Sequence, residues 1–289
     1  MILLTGSTGF VGKSIAHYLQ NKYKLRHLVR QKSAELKGEI IQGLLTEKKV
    51  IDKAVRGVSI VIHAAAVLDA NNPEIEEINV KATEWLVEAA KKHKVKQFIF
   101  ISTENVAHNG QDAYSQSKKR AEEKVRKFSN HLILREPVVY GPGDKRYIGK
   151  IVKYIKKWPF MPIPGNGKFT LQPIYVEDIP KYIEQGMKLK KKGTYLIVGP
   201  EFITYKEFIK KIMEIMQKKK IMLHIHMMVL KLVIRVLEYC KIRPPLTSVQ
   251  IRNMVMKRKY AIDEQIKVFK IKPTSLEEGL RKTLQTKCL

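Results

Sequence analysis

Tyr114 and Lys118 stand four residues apart, hence one turn apart on one face of any helix that carries them. A phenol with an ordinary pKa of about 10 moves protons poorly at neutral pH. A neighbouring ammonium stabilises the phenolate and brings it toward the working range of a general acid or base. The spacing by itself is common, and Tyr18 and Lys22 share it. Position separates the two pairs. Tyr114 opens the helix after an apolar strand, Gln97 to Ser102, and strand carboxyl ends in a doubly wound sheet line a ligand crevice. Thr103, at the end of that strand, brings a hydroxyl to the same crevice.

A second constellation lies at the start of the chain. The apolar run Ile2 to Leu4 breaks at Gly6, and Gly9 and Gly12 follow at three-residue spacing before a helical pattern with Ile15, Tyr18 and Leu19 takes over. This is strand, tight turn, helix. The first glycine takes a backbone conformation that a side chain obstructs. The second lets the backbone approach a pyrophosphate, and the third lets helix pack on strand. The free N–H groups and positive dipole end of the new helix attract phosphate. A plain strand-to-helix turn would need one glycine, so Gly6, Gly9 and Gly12 predict a dinucleotide site, with Thr8, Phe10 and Val11 in the same turn. The next strand, Tyr23 to Val29, ends at Arg30, with Lys32 close by. An acidic residue here would select NAD through the ribose 2′-hydroxyl. A cation pairs with a 2′-phosphate, which predicts NADP, with NAD as the alternative.

The elements between these residues alternate. Glu39 to Gln42 is a short strand and Glu47 to Val55 a short helix; Val58 to His63 is an apolar strand running into Ala64-Ala65-Ala66, whose small side chains let a flat adenine or ribose lie against the backbone. A helix over 74–92, the strand Gln97 to Ser102, a helix over 114–128 and the strand His131 to Leu134 follow. Continuous apolar strands between helices indicate a parallel sheet covered on both faces. The fold class is therefore α/β, a Rossmann-type doubly wound parallel sheet with a smaller, mostly helical C-terminal substrate domain. Prolines and glycines punctuate residues 137–173, the texture of a loop-rich cleft. The boundaries read as 1–136 with 173–200 for nucleotide binding, and 137–172 with 201–289 for substrate. Helices are expected over 204–216, 226–240 and 247–256, and after Pro273, where Thr274 and Glu277 make a capping-box pattern.

With 55 Lys and Arg against 27 Asp and Glu the net charge is +28, which favours anionic partners. The cations are scattered over many helices, without an arginine-rich arm or an aromatic-studded RNA-binding strand, so nucleic acid is disfavoured as a partner. Cys240 and Cys288 lie far apart without metal-ligand neighbours. Neither His224 nor His226 has a carboxylate or cysteine at ligand spacing, and no metal is expected. A strand starting at residue 2 leaves no leader, which with the sparse cysteines predicts a cytoplasmic protein. Ile221 to Cys240 is the most apolar stretch. Charges interrupt it, its longest uncharged run falls short of a membrane span, and it reads as an amphipathic helix.

Taken together, Gly6/Gly9/Gly12, Ala64 to Ala66, Asn79-Val80, Ser102-Thr103, Tyr114-x-x-x-Lys118 and Val139-Tyr140-Gly141-Pro142-Gly143 resemble the extended short-chain dehydrogenase/reductase superfamily, the NAD-dependent epimerase/dehydratase group. The resemblance implies that Tyr114 is the general acid/base and that Lys118 binds the nicotinamide ribose and tunes it. It also implies that Thr103 hydrogen-bonds the substrate oxygen, that Pro137 borders the cofactor, and that hydride passes to or from nicotinamide on a small-molecule substrate. Asn79 is expected to support structure or hold water rather than catalyse. Homodimers through the helices 74–92 and 114–128 are a family habit. Three features depart from the sugar-converting members: a short loop from Thr103 to Tyr114, no arginine in Leu171 to Asp178, and Leu44-Leu45 where an Asp-Leu pair usually meets adenine. The short loop and the Gln172-to-Asp178 segment look more like an atypical branch. That branch contains bacterial relatives of the nicotinamide-binding accessory subunit of respiratory complex I. It implies an alternative, a non-catalytic, NADPH-holding accessory or assembly protein; the +28 charge and the 221–240 stretch would put it at a membrane surface, although that stretch reads first as a core element of the substrate domain.

Overall fold

The computed structural model describes residues 1–108, 110–240 and 259–285. The expected helix 247–256 and Cys288 lie outside them. The chain divides into two compact units. The first comprises Met1–Pro137, Val176–Ile197 and Asp263–Lys272; the second draws on 138–175, 198–262 and 273–289.

The first unit is built on one seven-stranded sheet in the order Gly193–Leu196, β6 (His131–Glu136), β5 (Gln97–Thr103), β4 (Ile60–His63), β1 (Ile2–Thr5), β2 (Leu25–Val29), β3 (Glu39–Gln42). Every pairing is parallel. The chain runs outward from β1 to β3 and returns on the far side at β4, so the order reverses between β1 and β4. That reversal is where a doubly wound sheet opens a crevice at its carboxyl edge. The strands are buried on both faces: Leu3, Leu4, Val61, Ile62, Phe98, Ile99, Phe100, Leu132, Ile133 and Leu134 are sealed from solvent. Helices cover them because their apolar residues fall on one stripe. In α1 (Phe10–Leu19) that stripe is Gly12, Ile15, Ala16 and Leu19, and in α2 (Lys48–Val55) it is Ile51, Ala54 and Val55. In α4 (Ala113–Arg126) it includes Ser117, Lys118, Ala121 and Val125, which places an ammonium on the buried side.

The helix expected over 74–92 has two parts, a π-helical segment Glu77–Lys81 and α3 (Ala82–Lys92). Its wide turn buries Asn79 and Val80. The short helix Asp263–Phe269, expected with the substrate domain, groups with the first unit instead. The reason is Phe269, which is fully buried and packs edge-on against Tyr182 and Tyr195, with ring centroids 5.3 and 5.2 Å away.

The second unit pairs Phe160–Pro164 with Ile221–Ile225, Val139–Tyr140 with Ile174–Tyr175, and Thr170–Leu171 with Ile203–Thr204. Its core gathers Ile148, Val152, Ile155, Tyr175, Phe208, Ile209, Ile212 and Leu280. Here the expected amphipathic helix Ile221 to Cys240 is corrected. Ile221–Ile225 is a strand, because five residues of Phe160–Pro164 offer it a parallel ladder, and the helix is Met227–Tyr239. His224 shares a hydrogen bond with the carbonyl of Gly165, and His226 accepts one from the Met228 amide at the helix start. At the start of the last helix Ser275 Oγ accepts from the Glu278 amide at 3.3 Å, and Glu277 pairs with Arg281. Among the described residues no helix is long and apolar enough to cross a membrane.

Candidate functional site

The glycine turn leaves β1 at Gly6, whose φ of +76° only glycine adopts without strain. A Cβ there would lie 2.6 Å from the Ala65 amide nitrogen, and a Cβ on Gly12 would overlap the carbonyl oxygen of Gly6. Gly6, Gly12 and the Ala64–Ala65 backbone are thus packed too closely for side chains. The Gly9 amide closes the turn on the Gly6 carbonyl at 2.9 Å. Gly9 is also the N-cap of α1 and supplies no side-chain acceptor, so the helix presents bare N–H groups at Phe10 and Val11. Ser7 Oγ is buried here without a partner. A cradle with no room for a Cβ, bare helix N–H groups and an orphaned hydroxyl fits a pyrophosphate.

Ala64 to Ala66 is held in place by a buried hydrogen-bond chain. Thr83 Oγ1 donates to the Asn79 carbonyl at 2.7 Å, so it accepts from His63 Nε2 at 2.9 Å. That assigns the proton of His63 to Nε2 and leaves Nδ1 to accept from Thr5 Oγ1 at 2.6 Å. Thr5 Oγ1 in turn accepts from the Ala65 amide. Burial first, and the nearby Lys118 charge second, push the His63 pKa down to about 3, so the ring stays neutral. Asn79 completes the clamp. Its amide grips both backbone polar groups of Val67 at 2.7 and 2.9 Å and donates to Ser117 Oγ on α4. Asn79 is therefore a structural clamp.

Local caps set the start of α4. Asp112 accepts from the Ser115 amide and hydroxyl, and Gln116 donates to the Gly110 carbonyl at 2.6 Å. Tyr114 stands in the first turn and Ser117 Oγ donates to its carbonyl. One turn on, Lys118 is 2% exposed; its Nζ donates to the Ile101 carbonyl at 2.7 Å and lies 3.7 Å above the Phe100 ring. Burial pushes its pKa down to about 7 against the opposing pull of Glu136 and Glu122. The helix is pinned to the sheet by Glu122, fully buried, which accepts from Ser102 Oγ at 2.7 Å, from Arg135 at 2.9 and 2.6 Å and from Arg126 at 2.6 Å. Burial raises the Glu122 pKa, yet these donors outweigh it and hold the carboxyl below its ordinary value. Thr103, in the last position of β5, accepts from the Asn105 amide and lies opposite Glu136 in β6.

The structure thus gathers Gly6, Gly9, Gly12 and Ala64 to Ala66 at the ends of β1 and β4. It sets Thr103 and Lys118 at the end of β5, with Pro137 just after β6. Arg30 is exposed where β2 ends, at the same edge of the sheet as the glycine turn. Two groups escape sequence reasoning. His63 looks like any residue closing an apolar strand, and its partners come from three other segments. Glu136 carries a signal, a lone acid behind Leu132-Ile133-Leu134, but its neighbour Lys118 is distant in sequence.

A parallel, doubly wound sheet with a side-chain-free cradle at its switch point defines a dinucleotide-binding α/β protein. The model of the NAD dependent epimerase/dehydratase family matches residues 2–197, and the chain belongs to that family. It is 28% identical to a ceramide reductase of Caulobacter vibrioides over 62% of this chain and 58% of the relative. With an undecaprenol-linked sugar epimerase of Escherichia coli O157:H7, N-acetyl-alpha-D-glucosaminyl-diphospho-ditrans,octacis-undecaprenol 4-epimerase, it shares 26% identity over 78% and 75%. The chain spans about half the length of several curated relatives it matches, 42–58%. A UDP-glucose 4-epimerase of Thermotoga maritima, crystallised with UDP-glucose, superposes with a TM-score of 0.79 over 98% of this chain and 97% of that one at 20% identity, a likeness of fold.

Proposed function

We propose that the chain is an NADP(H)-preferring oxidoreductase or epimerase acting at a carbonyl or hydroxyl-bearing carbon of a small molecule. The observation that carries this reading is the buried ammonium of Lys118, one helical turn from Tyr114 and hydrogen-bonded to the strand that ends in Thr103. A nicotinamide cofactor, when bound, supplies or accepts the hydride. The residues present fit it: the turn from Gly6 to Gly12, with Thr8, Phe10 and Val11, would hold the pyrophosphate, Ala64 to Ala66 the adenosine side, and Arg30 a 2′-phosphate. Lys118 would hold the nicotinamide ribose. In reduction, Tyr114 gives its phenolic proton to the oxygen while the carbon gains hydride. In oxidation it takes that proton back. Thr103 orients the oxygen, and Lys118 stabilises the phenolate left on Tyr114.

Fluorescence titration with NADPH and NADH tests the binding half, and a panel of aldehydes, ketones and their alcohols tests turnover. Arg30→Asp is expected to weaken NADPH more than NADH, and Tyr114→Phe to abolish turnover while sparing binding. Nucleotide binding with full turnover in Tyr114→Phe would overturn the assignment of the proton donor. Failure of both nucleotides to bind would overturn the reading of the glycine turn.

One feature of the second unit favours work at an anionic lipid surface. In the helix Met227–Tyr239 the buried side is Met227, Leu230 and Ile234, yet the opposite side is also apolar: Met228 is 73% exposed and Leu232 64%, with Val229, Val233 and Val236 beside them. Lys231 and Arg235 flank this face, and Lys218 to Lys220 precede the strand that leads to it. An apolar face edged with cations suits the boundary of an anionic bilayer. Flotation with phosphatidylserine vesicles at low salt should carry the protein, and Leu232→Glu should release it. Absence from the lipid fraction at low salt would refute this.

A further inference from the structure

In β6 the side chains of Arg135 and Glu136 alternate across the strand. Arg135 goes to Glu122 on α4, and Glu136 turns the other way at the carboxyl edge of the sheet. Its register partner in β5 is Thr103. Its Oε2 is sealed from solvent and makes no hydrogen bond. The residue as a whole is half-buried, and the loss of hydration at its carboxyl pushes the pKa up to about 8, against the pull of Lys118. β5 brings the Thr103 hydroxyl; on the other side the Ile197 amide bonds the Arg135 carbonyl, so the edge strand continues past β6 with apolar Ile197. From α4 the Lys118 ammonium acts on it, while Glu122 is tied to Arg135 and Arg126.

A sealed carboxyl oxygen without a partner is costly and calls for an explanation, and at the edge of a binding crevice a ligand is one that the site itself offers. In the proposed chemistry the reacting end of the cofactor lies at Thr103, Tyr114 and Lys118, and Glu136 borders the first and the last of these. The two redox forms of a nicotinamide differ there in one respect: the oxidised ring is cationic and the reduced ring is neutral. We propose that Glu136 is a specificity residue for the oxidation state of the cofactor, its carboxylate making the oxidised nicotinamide bind more tightly relative to the reduced form. The inference rests on the proposed cofactor. It goes beyond it in assigning a residue that hydride chemistry does not require and that shifts the balance toward oxidised cofactor.

Binding alone tests it. Dissociation constants for NADP+ against NADPH, and NAD+ against NADH, are measured by calorimetry on the full chain and on Glu136→Gln and Glu136→Asp. Within each pair the 2′-substituent is the same, so its own ionisation cancels in the ratio. At about pH 9, where the carboxyl is ionised, Glu136→Gln is expected to weaken the oxidised form about tenfold relative to the reduced form, a value between those of one charge pair in bulk water and near a protein surface. Glu136→Asp retains the charge and should retain most of the preference. In the unmodified protein the oxidised form should tighten relative to the reduced form from about pH 6 to about pH 9, as Lys118, held down to about 7, loses its charge and Glu136, pushed up to about 8, gains one; Glu136→Gln should keep only the Lys118 part of that rise. A ratio and a pH profile both unchanged by Glu136→Gln, while both redox forms still bind, overturn the inference and leave the cofactor reading standing. Failure of every nucleotide to bind the unmodified protein overturns both. If Glu136→Gln binds no nucleotide at all, Glu136→Ala takes its place in the same comparison, and a ratio and pH profile unchanged there overturn the inference.

Discussion

Replacing Glu122 with glutamine removes one charge from the centre of the network that pins α4, and with it Tyr114 and Lys118, to the sheet. The carboxylate accepts four hydrogen bonds, one from Ser102, two from Arg135 and one from Arg126. A glutamine oxygen can keep those from Ser102 and Arg135 Nε, but its NH2 then faces Nη2 of both arginines, so two charge-assisted bonds are lost. Each is worth about 1.5–3 kcal/mol. Arg135 and Arg126 are 19% and 40% exposed and recover part of this by hydration. The net cost of Glu122→Gln should therefore be about 3 kcal/mol, within the usual range for breaking a buried pair. The pH dependence has a definite sign. The folded carboxyl lies below its unfolded value of about 4.3, so its contribution is fully present above that pH and is lost as pH falls through the folded pKa. Urea unfolding at neutral pH should show the full deficit with an unchanged denaturant slope, and the gap between the two proteins should narrow in acid. A deficit below about 1 kcal/mol, or one that stays constant into acid, would refute the idea that this carboxylate holds the helix.

Three further outcomes are expected. Lys118→Met should raise the stability of the nucleotide-free protein at neutral pH while abolishing turnover. The buried ammonium is held down to about 7, so stability of the unmodified protein should rise between about pH 7 and about pH 10.4, and thermal melts across that window should show the rise disappear in the variant. Thr83→Val leaves His63 Nε2–H without an acceptor in a sealed site and should cost about 1–3 kcal/mol in urea unfolding; a cost near zero would show that the His63 chain does not hold Ala65. Gly12→Ala sets a methyl against the Gly6 carbonyl and should abolish nucleotide binding in titration or prevent folding altogether, and normal binding in a folded variant would contradict the packing of that turn.

The sequence by itself determined the parts of this protein whose signals are local. Apolar runs of strand length fall between helical patterns, so the alternation of the first unit is legible without coordinates. The spacing of Gly6, Gly9 and Gly12 states its own requirement, because a Cβ at two of them meets backbone. Tyr114 and Lys118 are neighbours by helical pitch alone. The tertiary structure decided whatever depends on groups far apart in the chain. Lys118 and Glu136 set one another's charge across 18 positions, and Glu122 reaches Arg135 across 13, through a parallel register that no local pattern announces. Ile221–Ile225 has residues that suit a strand or a buried helix equally, and the ladder along Phe160–Pro164 chose the strand. Asp263–Phe269 joined the first unit because Phe269 buries its ring against Tyr182 and Tyr195. Periodicity reports which face of an element is apolar, but which partner covers that face is settled only when the chain has closed.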